Sequence, residues 1–128
     1  MKSQFAMTLS LLAGVAIGAI AVQGLHAQTK PPVYVVSEID VTNVNSYARE
    51  YAPLAQASIK NAGGKRVALS QNVTPLEGTP PSQRVTINAF DSIEKAQAWR
   101  DSAEYKEARK IGDKYAKFRA YVVDGVPQ

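Results

Sequence analysis

The stretch 84-RVTINAFDSIEKAQAWRDSAEYKEARK-110 places a strand and two helical segments in succession with no loop between them. The β-branched run Val85, Thr86, Ile87 suits a pleated surface, and the strand ends in Phe90. Asp91, followed three residues later by Glu94, has the form of a capping box, so a helix is expected to start directly after the strand. Ile93, Ala96 and Trp99 give it an apolar side. Ser102 with Glu104 restarts helix after Arg100, and Tyr105, Ala108, Ile111 and Tyr115 carry the apolar side onward. Helices leaving a strand this abruptly need a sheet to lie on.

Working outward, residues 33–39 (VYVVSEI) form the first expected strand. Helical spacing follows: Val44, Tyr47, Ala48, Tyr51, Leu54, Ala55, Ile59 and Ala62 recur at three and four, with Asn43 or Asn45 as cap. Gly63-Gly64 suits a left-handed helix end. Pro53 falls inside this helix, where it lacks a donor and collides with the preceding turn, so a kink is expected there. Residues 65–70 form the second strand, 77–82 (EGTPPS) a loop, 84–90 the third strand and 118–123 (FRAYVV) the fourth. The order is βαββαβ. With right-handed crossovers it gives an α+β, ferredoxin-like fold: a four-stranded antiparallel sheet with both helices on one face. Val35 and Val36, like Val122 and Val123, point to opposite faces, so the uncovered face also carries apolar material. A second copy burying that face would close a dimeric α+β barrel.

Composition removes whole classes of chemistry. The chain has no cysteine, and its one histidine is His26. Residues 1–27 read as a secretory signal peptide: Lys2 precedes the uncharged apolar run 9–22, and Leu25-His26-Ala27 ends in a small residue at the cleavage position. The expected location is periplasmic or secreted, with a retained membrane anchor as the alternative; the domain is then 28–128. Without imidazole or thiolate, this domain has no Cys nucleophile, Ser/His triad, imidazole or thiolate metal site, or ordinary haem ligand. No metal or cofactor is implied. The formal net charge of the chain is +4, lowered by one when Lys2 leaves with the leader. Lys106, Arg109, Lys110, Lys114, Lys117 and Arg119 form a basic region diluted by Glu107 and Asp113; it reads as a solvated helix face, and nucleic acid is not an expected partner.

Tyr47 and Tyr51, Gly63-Gly64, Leu76-Glu77-Gly78 before a proline loop, Arg84 opening a strand that ends in Phe90, and Ser102-Ala-Glu-Tyr105 together resemble the domain-of-unknown-function 1330 family, over nearly all of residues 32–125. The resemblance implies the dimeric α+β barrel superfamily, which also holds cofactor-free monooxygenases, lactone isomerases and haem-binding relatives. Family members often carry an acid before the terminal Phe of the third strand, where this chain has Ala89. A Pro is commoner where Asp91 stands, and a Gly-Gly pattern is replaced by Leu69-Ser-Gln-Asn72. Ala89 removes the most obvious carboxylate base, which weakens an enzymatic reading more than a binding one.

Tyr34, Glu38, Arg84, Asn88, Arg119 and Tyr121 are expected to converge if the polar side of each strand faces a shared interior. Arg offers a planar fork for a carboxylate, and Tyr a donor on a flat apolar body. Arg84 at a strand start in solvent, with Glu38 paired to a neighbouring cation, is the structural alternative. Ser102, Tyr105 and Arg109 lie along one helix side. Tyr105 and Arg109 then either rim a pocket between helix and sheet, or serve as core and solvated cation beside a Ser102 cap. The ligand-binding candidates are Tyr34, Glu38, Arg84, Asn88, Tyr105, Arg109 and Tyr121; no catalytic residue is assigned. The expected function is binding of a small anionic or aromatic organic molecule by a homodimer. A cofactor-independent monooxygenase-like or isomerase-like enzyme and a ligand-free structural protein are the alternatives.

Overall fold

The structure, a computed structural model, describes residues 30–81 and 83–128. The leader expected over 1–27 lies outside the described residues. Residues Pro32–Val126 form a compact unit. Its elements are β1 (Val33–Val41), α1 (Val44–Ser46), a π-helical turn (Tyr47–Tyr51), α2 (Ala52–Asn61), β2 (Lys65–Ser70), β3 (Arg84–Phe90), α3 (Ile93–Asp101), α4 (Ala103–Gly112) and β4 (Ala116–Asp124). The sheet order is β2-β3-β1-β4, with every neighbouring pair antiparallel. This is the ferredoxin-like arrangement that the βαββαβ order predicts.

Register sets the faces. Val35 lies opposite Asn88 and Val122, Ser37 opposite Thr86 and Ala120, and Ile39 opposite Arg84 and Phe118. These residues share the face under the helices, where Phe90 meets Trp99 with ring centres 5.5 Å apart and Phe118 meets Tyr51 at 5.3 Å. Val36, Glu38, Val85, Ile87, Arg119 and Tyr121 alternate with them and belong to the opposite face. On that face Tyr121 and Val123 remain more than two-fifths exposed.

Local chemistry accounts for the details. Asn43 caps α1, its Oδ1 accepting from the Ser46 N–H at 3.1 Å. Pro53 produces a π turn: its ring would collide with the carbonyl four residues back, and the turn before it widens so that the Ala52 N–H donates to Tyr47 O, five residues back. Tyr47 and Tyr51 both lie buried from this turn, with ring centres 5.1 Å apart. Gly63 ends α2 at φ +81°, and Gly64 passes so close to Phe90 that a Cβ there would stand 2.6 Å from Cε1. Ser92, not Asp91, caps α3, its Oγ accepting from the Lys95 N–H at 3.2 Å, while Asp91 pairs with the Lys95 ammonium. Ser102 caps α4 by accepting from the Tyr105 N–H and donating to Trp99 O.

Candidate functional site

The candidate residues divide between the two sheet faces. Glu38 is 6% exposed and accepts from Arg119 Nη2 at 3.0 Å and from the Tyr121 hydroxyl at 2.9 Å, all on the face away from the helices. The hydrogen bond to Glu38 is the main cause holding the Tyr121 phenol above its ordinary range. Tyr34 shares that face, opposite Ala89 and Val123 in register. Arg84 and Asn88 lie under the helices instead, with Tyr105 and Arg109. The expected convergence of Glu38 with Arg84 is corrected by register: Glu38 pairs with Val85 and Ile39 with Arg84, so their side chains leave opposite faces.

The helix side holds a cleft with two adjoining parts that share lining residues. Its inner part, about 20 Å³ open to the centre of a water-sized atom, is walled by Tyr47, Tyr51, Tyr105, Arg66, Arg84, Thr86 and Asn88, with apolar side chains around them. The outer part, about 150 Å³ on the same measure, is mainly apolar and lies among Val35, Ala96, Trp99, Phe118, Ala120 and Val122. Ser37, Trp99, Tyr105 and Phe118 line both.

Two arginines reach the inner part, and no carboxylate among the described residues lines it. Arg66 arrives through a β-bulge: it pairs with Asn88 whereas Ala68 pairs with Ile87, so Val67 is extra and Arg66 keeps the helix face. Arg66 Nε donates to Asn88 Oδ1 at 3.4 Å. Burial, and then the charge of Arg84, push the Arg66 guanidinium below its ordinary range. Arg84 lies over the Tyr47 ring, 5.1 Å from its centre, and its buried Nε has no hydrogen-bond partner among the described residues. The third arginine differs: Arg109 is 3.0 Å from Asp113, stacks 3.9 Å from the centre of Phe118, and donates to the Tyr105 hydroxyl at 3.4 Å.

The phenols form the remaining polar wall. The Tyr51 and Tyr105 hydroxyls lie 3.3 Å apart. Burial raises the Tyr51 phenol, with Tyr105 adding to the effect; burial also raises Tyr47, against the opposing charges of Arg84 and Arg66. Tyr47 and Tyr51 are therefore neutral hydrogen-bonding groups at physiological pH. Trp99 closes the site from above, its indole N–H donating to Ser58 Oγ at 3.0 Å. The expectation for Arg84, Asn88, Tyr105 and Arg109 named one side of this cleft but omitted Arg66, Tyr47, Tyr51 and Trp99. Tyr47 and Tyr51 carried a readable signal: two hydroxyls four residues apart on the apolar side of a helix.

Among the described residues no group of three or more His, Cys, Asp and Glu side chains could hold a metal ion, and no helix is long and apolar enough to cross a membrane. The site is thus a cationic and phenolic cleft between the helices and sheet of a ferredoxin-like α+β domain.

The model of the family described as a domain of unknown function, DUF1330, matches residues 32–126, and the chain belongs to that family. Comparison with curated proteins finds no match. Among solved structures, a protein of unknown function from Rhodopseudomonas palustris is similar at 18% identity and a TM-score of 0.63, over 82% of this chain and 94% of that one. A dimeric protein of unknown function with a ferredoxin-like fold from Bacteroides fragilis gives 12% identity and 0.55, over 73% and 96%. A putative antibiotic biosynthesis monooxygenase from Nitrosomonas europaea gives 13% and 0.50, over 74% and 91%. At these identities the likeness concerns the fold, which hosts many unrelated functions.

Proposed function

We propose that the protein is an exported homodimer that binds a small organic anion in the cleft between its helices and sheet. The observation that carries this reading is the Arg66–Arg84 pair: two cationic side chains directed at one small cavity, with a buried unpartnered Nε on Arg84 and no facing carboxylate among the described residues. Uncompensated charge under a helix layer is costly, and a bound anion offsets that cost. The neutral phenols supply further donors, and the apolar outer cleft accepts an organic body.

Homodimerisation rests on the open sheet face, where Tyr121 and Val123 are exposed, and on the dimeric Bacteroides fragilis relative of the same fold. Export rests on the apolar leader 1–27. Glu38, held by Arg119 and Tyr121 on the dimer-facing side, has its own partners and is left out of the cleft.

Calorimetric titration with a panel of small organic anions, followed in parallel by fluorescence of Trp99, the only tryptophan, tests the reading. Binding by the wild type, its loss in Arg84→Ala and its retention in Glu38→Gln are expected. A panel that binds Arg84→Ala as well as wild type would overturn it.

A further inference from the structure

We infer that the cleft takes an aromatic carboxylate, inserted head-first, with its carboxylate between Arg84 and Arg66 and its ring in the outer groove. This assignment rests on the anion-binding reading of the cleft and narrows it to one chemical class and one orientation.

Charge fixes the direction of entry. Arg109 and Arg100 stand at the outer groove, but the Arg109 guanidinium is 3.0 Å from Asp113 and stacked on Phe118, and Arg100 is exposed, so water screens its charge. Arg66 and Arg84 stand at the inner cavity and have no carboxylate partner among the described residues. An anion therefore gains more at the inner end. The outer groove has the opposite character: its apolar wall is contributed by Trp99, Phe118, Val35 and Val122, and it is more than seven times larger than the inner cavity, about 150 against about 20 Å³.

Size and donor geometry fix the head group. Space open to the centre of a water-sized atom of about 20 Å³ is room for one or two oxygen atoms. A carboxylate presents two, in a plane; a phosphate or sulfate presents four oxygens tetrahedrally, more than this space holds. The donor is also specific: Arg84 lines the inner cavity, and a guanidinium engages both oxygens of a carboxylate in parallel hydrogen bonds. A lysine in that place would keep the charge and lose the fork.

The ring follows from the walls. Trp99 and Tyr105 pack on each other with centres 4.2 Å apart, and with Phe118 they line both cavities, so the boundary between the two is aromatic. A planar ring attached directly to the carboxylate stacks there; offset and tilted aromatic pairs of this kind are favourable beyond their buried area.

The test uses the full chain and three probes: sodium benzoate, benzyl alcohol as an uncharged aromatic analogue, and inorganic phosphate, each titrated by calorimetry and by Trp99 fluorescence. Benzoate is expected to bind in the weak range set by so few atoms, and the other two at least about tenfold more weakly. Arg84→Lys is expected to weaken benzoate by about tenfold or more, because a point charge replaces a bidentate fork. An unchanged melting curve for Arg84→Lys confirms that the loss is local; if that variant does not fold, Thr86→Val, which removes a hydroxyl from the polar wall at nearly constant volume and charge, should weaken benzoate instead. Phosphate binding as tightly as benzoate would overturn the carboxylate assignment while leaving an anion cleft. Benzyl alcohol binding as tightly as benzoate would overturn the head-first orientation. Failure of all three probes overturns the aromatic carboxylate; if the wider anion panel also fails, the cleft reading falls with it.

Discussion

The guanidinium of Arg84 lies 5.1 Å from the centre of the Tyr47 ring, yet its buried Nε donates to nothing among the described residues. The ring offsets part of the desolvation of this cation, a contribution of about 0.5–2 kcal/mol, but supplies no acceptor for the N–H. Arg66 adds repulsion from nearby. Replacing Arg84 by Met keeps much of the side-chain volume and removes the charge. Stability in urea should stay level or rise by up to about 1 kcal/mol, since removing a partly buried cation with no carboxylate partner among the described residues is neutral or favourable. The same variant should lose anion binding. A site tuned for function at the expense of stability behaves this way. A fall in stability above 1 kcal/mol would show Arg84 to be a structural strut.

Gly112 closes α4 against Tyr51. A Cβ there would stand 2.5 Å from Tyr51 Cδ1 and 2.6 Å from Cε1. Alanine in a helix normally gains up to about 1 kcal/mol over glycine. Overpacking of a filled core costs about 1–3 kcal/mol, so the clash should win and Gly112→Ala should be destabilised. Because Tyr51 lines the inner cavity, the damage should extend to binding. Thermal melting and calorimetry on the same sample check both halves, and a variant more stable than wild type would contradict the packing.

How much of this was legible beforehand depended on the range of each signal. Most local signals held: Asn43 and Ser102 cap helices, Gly63 takes the left-handed turn, and Phe90 packs beneath Trp99, but the cap expected at Asp91 falls one residue later, at Ser92. Signals that depend on pairing were less so. Nothing inside 33–41 or 84–90 states that Ile39, not Glu38, lies opposite Arg84, and that one-residue difference sends the two charges to opposite faces. Arg66 was hidden for the same reason, since its face depends on the bulge at Val67. Pro53 signals a break in regular helix but not its form, a π turn from which Tyr47 and Tyr51 are both buried.

Ser58 is 1% exposed and holds two hydrogen bonds: its hydroxyl donates to Ala55 O at 2.7 Å and accepts from Trp99 Nε1 at 3.0 Å. Ser58→Ala strands the indole N–H, and an unsatisfied buried donor costs about 1–3 kcal/mol. A drop in melting temperature of roughly 4–8 °C per kcal/mol is expected for a domain of this size. Adding Trp99→Phe to Ser58→Ala removes the orphaned donor, so the two losses should sum to more than the loss in the double variant. Strict additivity would mean that the hydrogen bond contributes nothing.

Alkaline stability should depend on Tyr51. Burial holds its phenol above the ordinary value of 10.0, and Tyr105 reinforces the shift. Above pH 10 the unfolded chain releases this proton while the folded chain keeps it, so the unfolded state binds fewer protons and stability falls as pH rises. The contribution is complete below pH 10 and declines by about 1.4 kcal/mol per unit above it until the folded phenol also ionises. Tyr51→Phe has no proton to release. At pH 8 the variant should be less stable than wild type by about 1 kcal/mol, the worth of the lost hydrogen bond to Tyr105. By pH 11 that gap should have closed or reversed, because wild type alone bears the Tyr51 ionisation cost. Urea denaturation at pH 8, 10 and 11 gives the comparison; two curves that fall in parallel would mean that Tyr51 titrates like an exposed phenol.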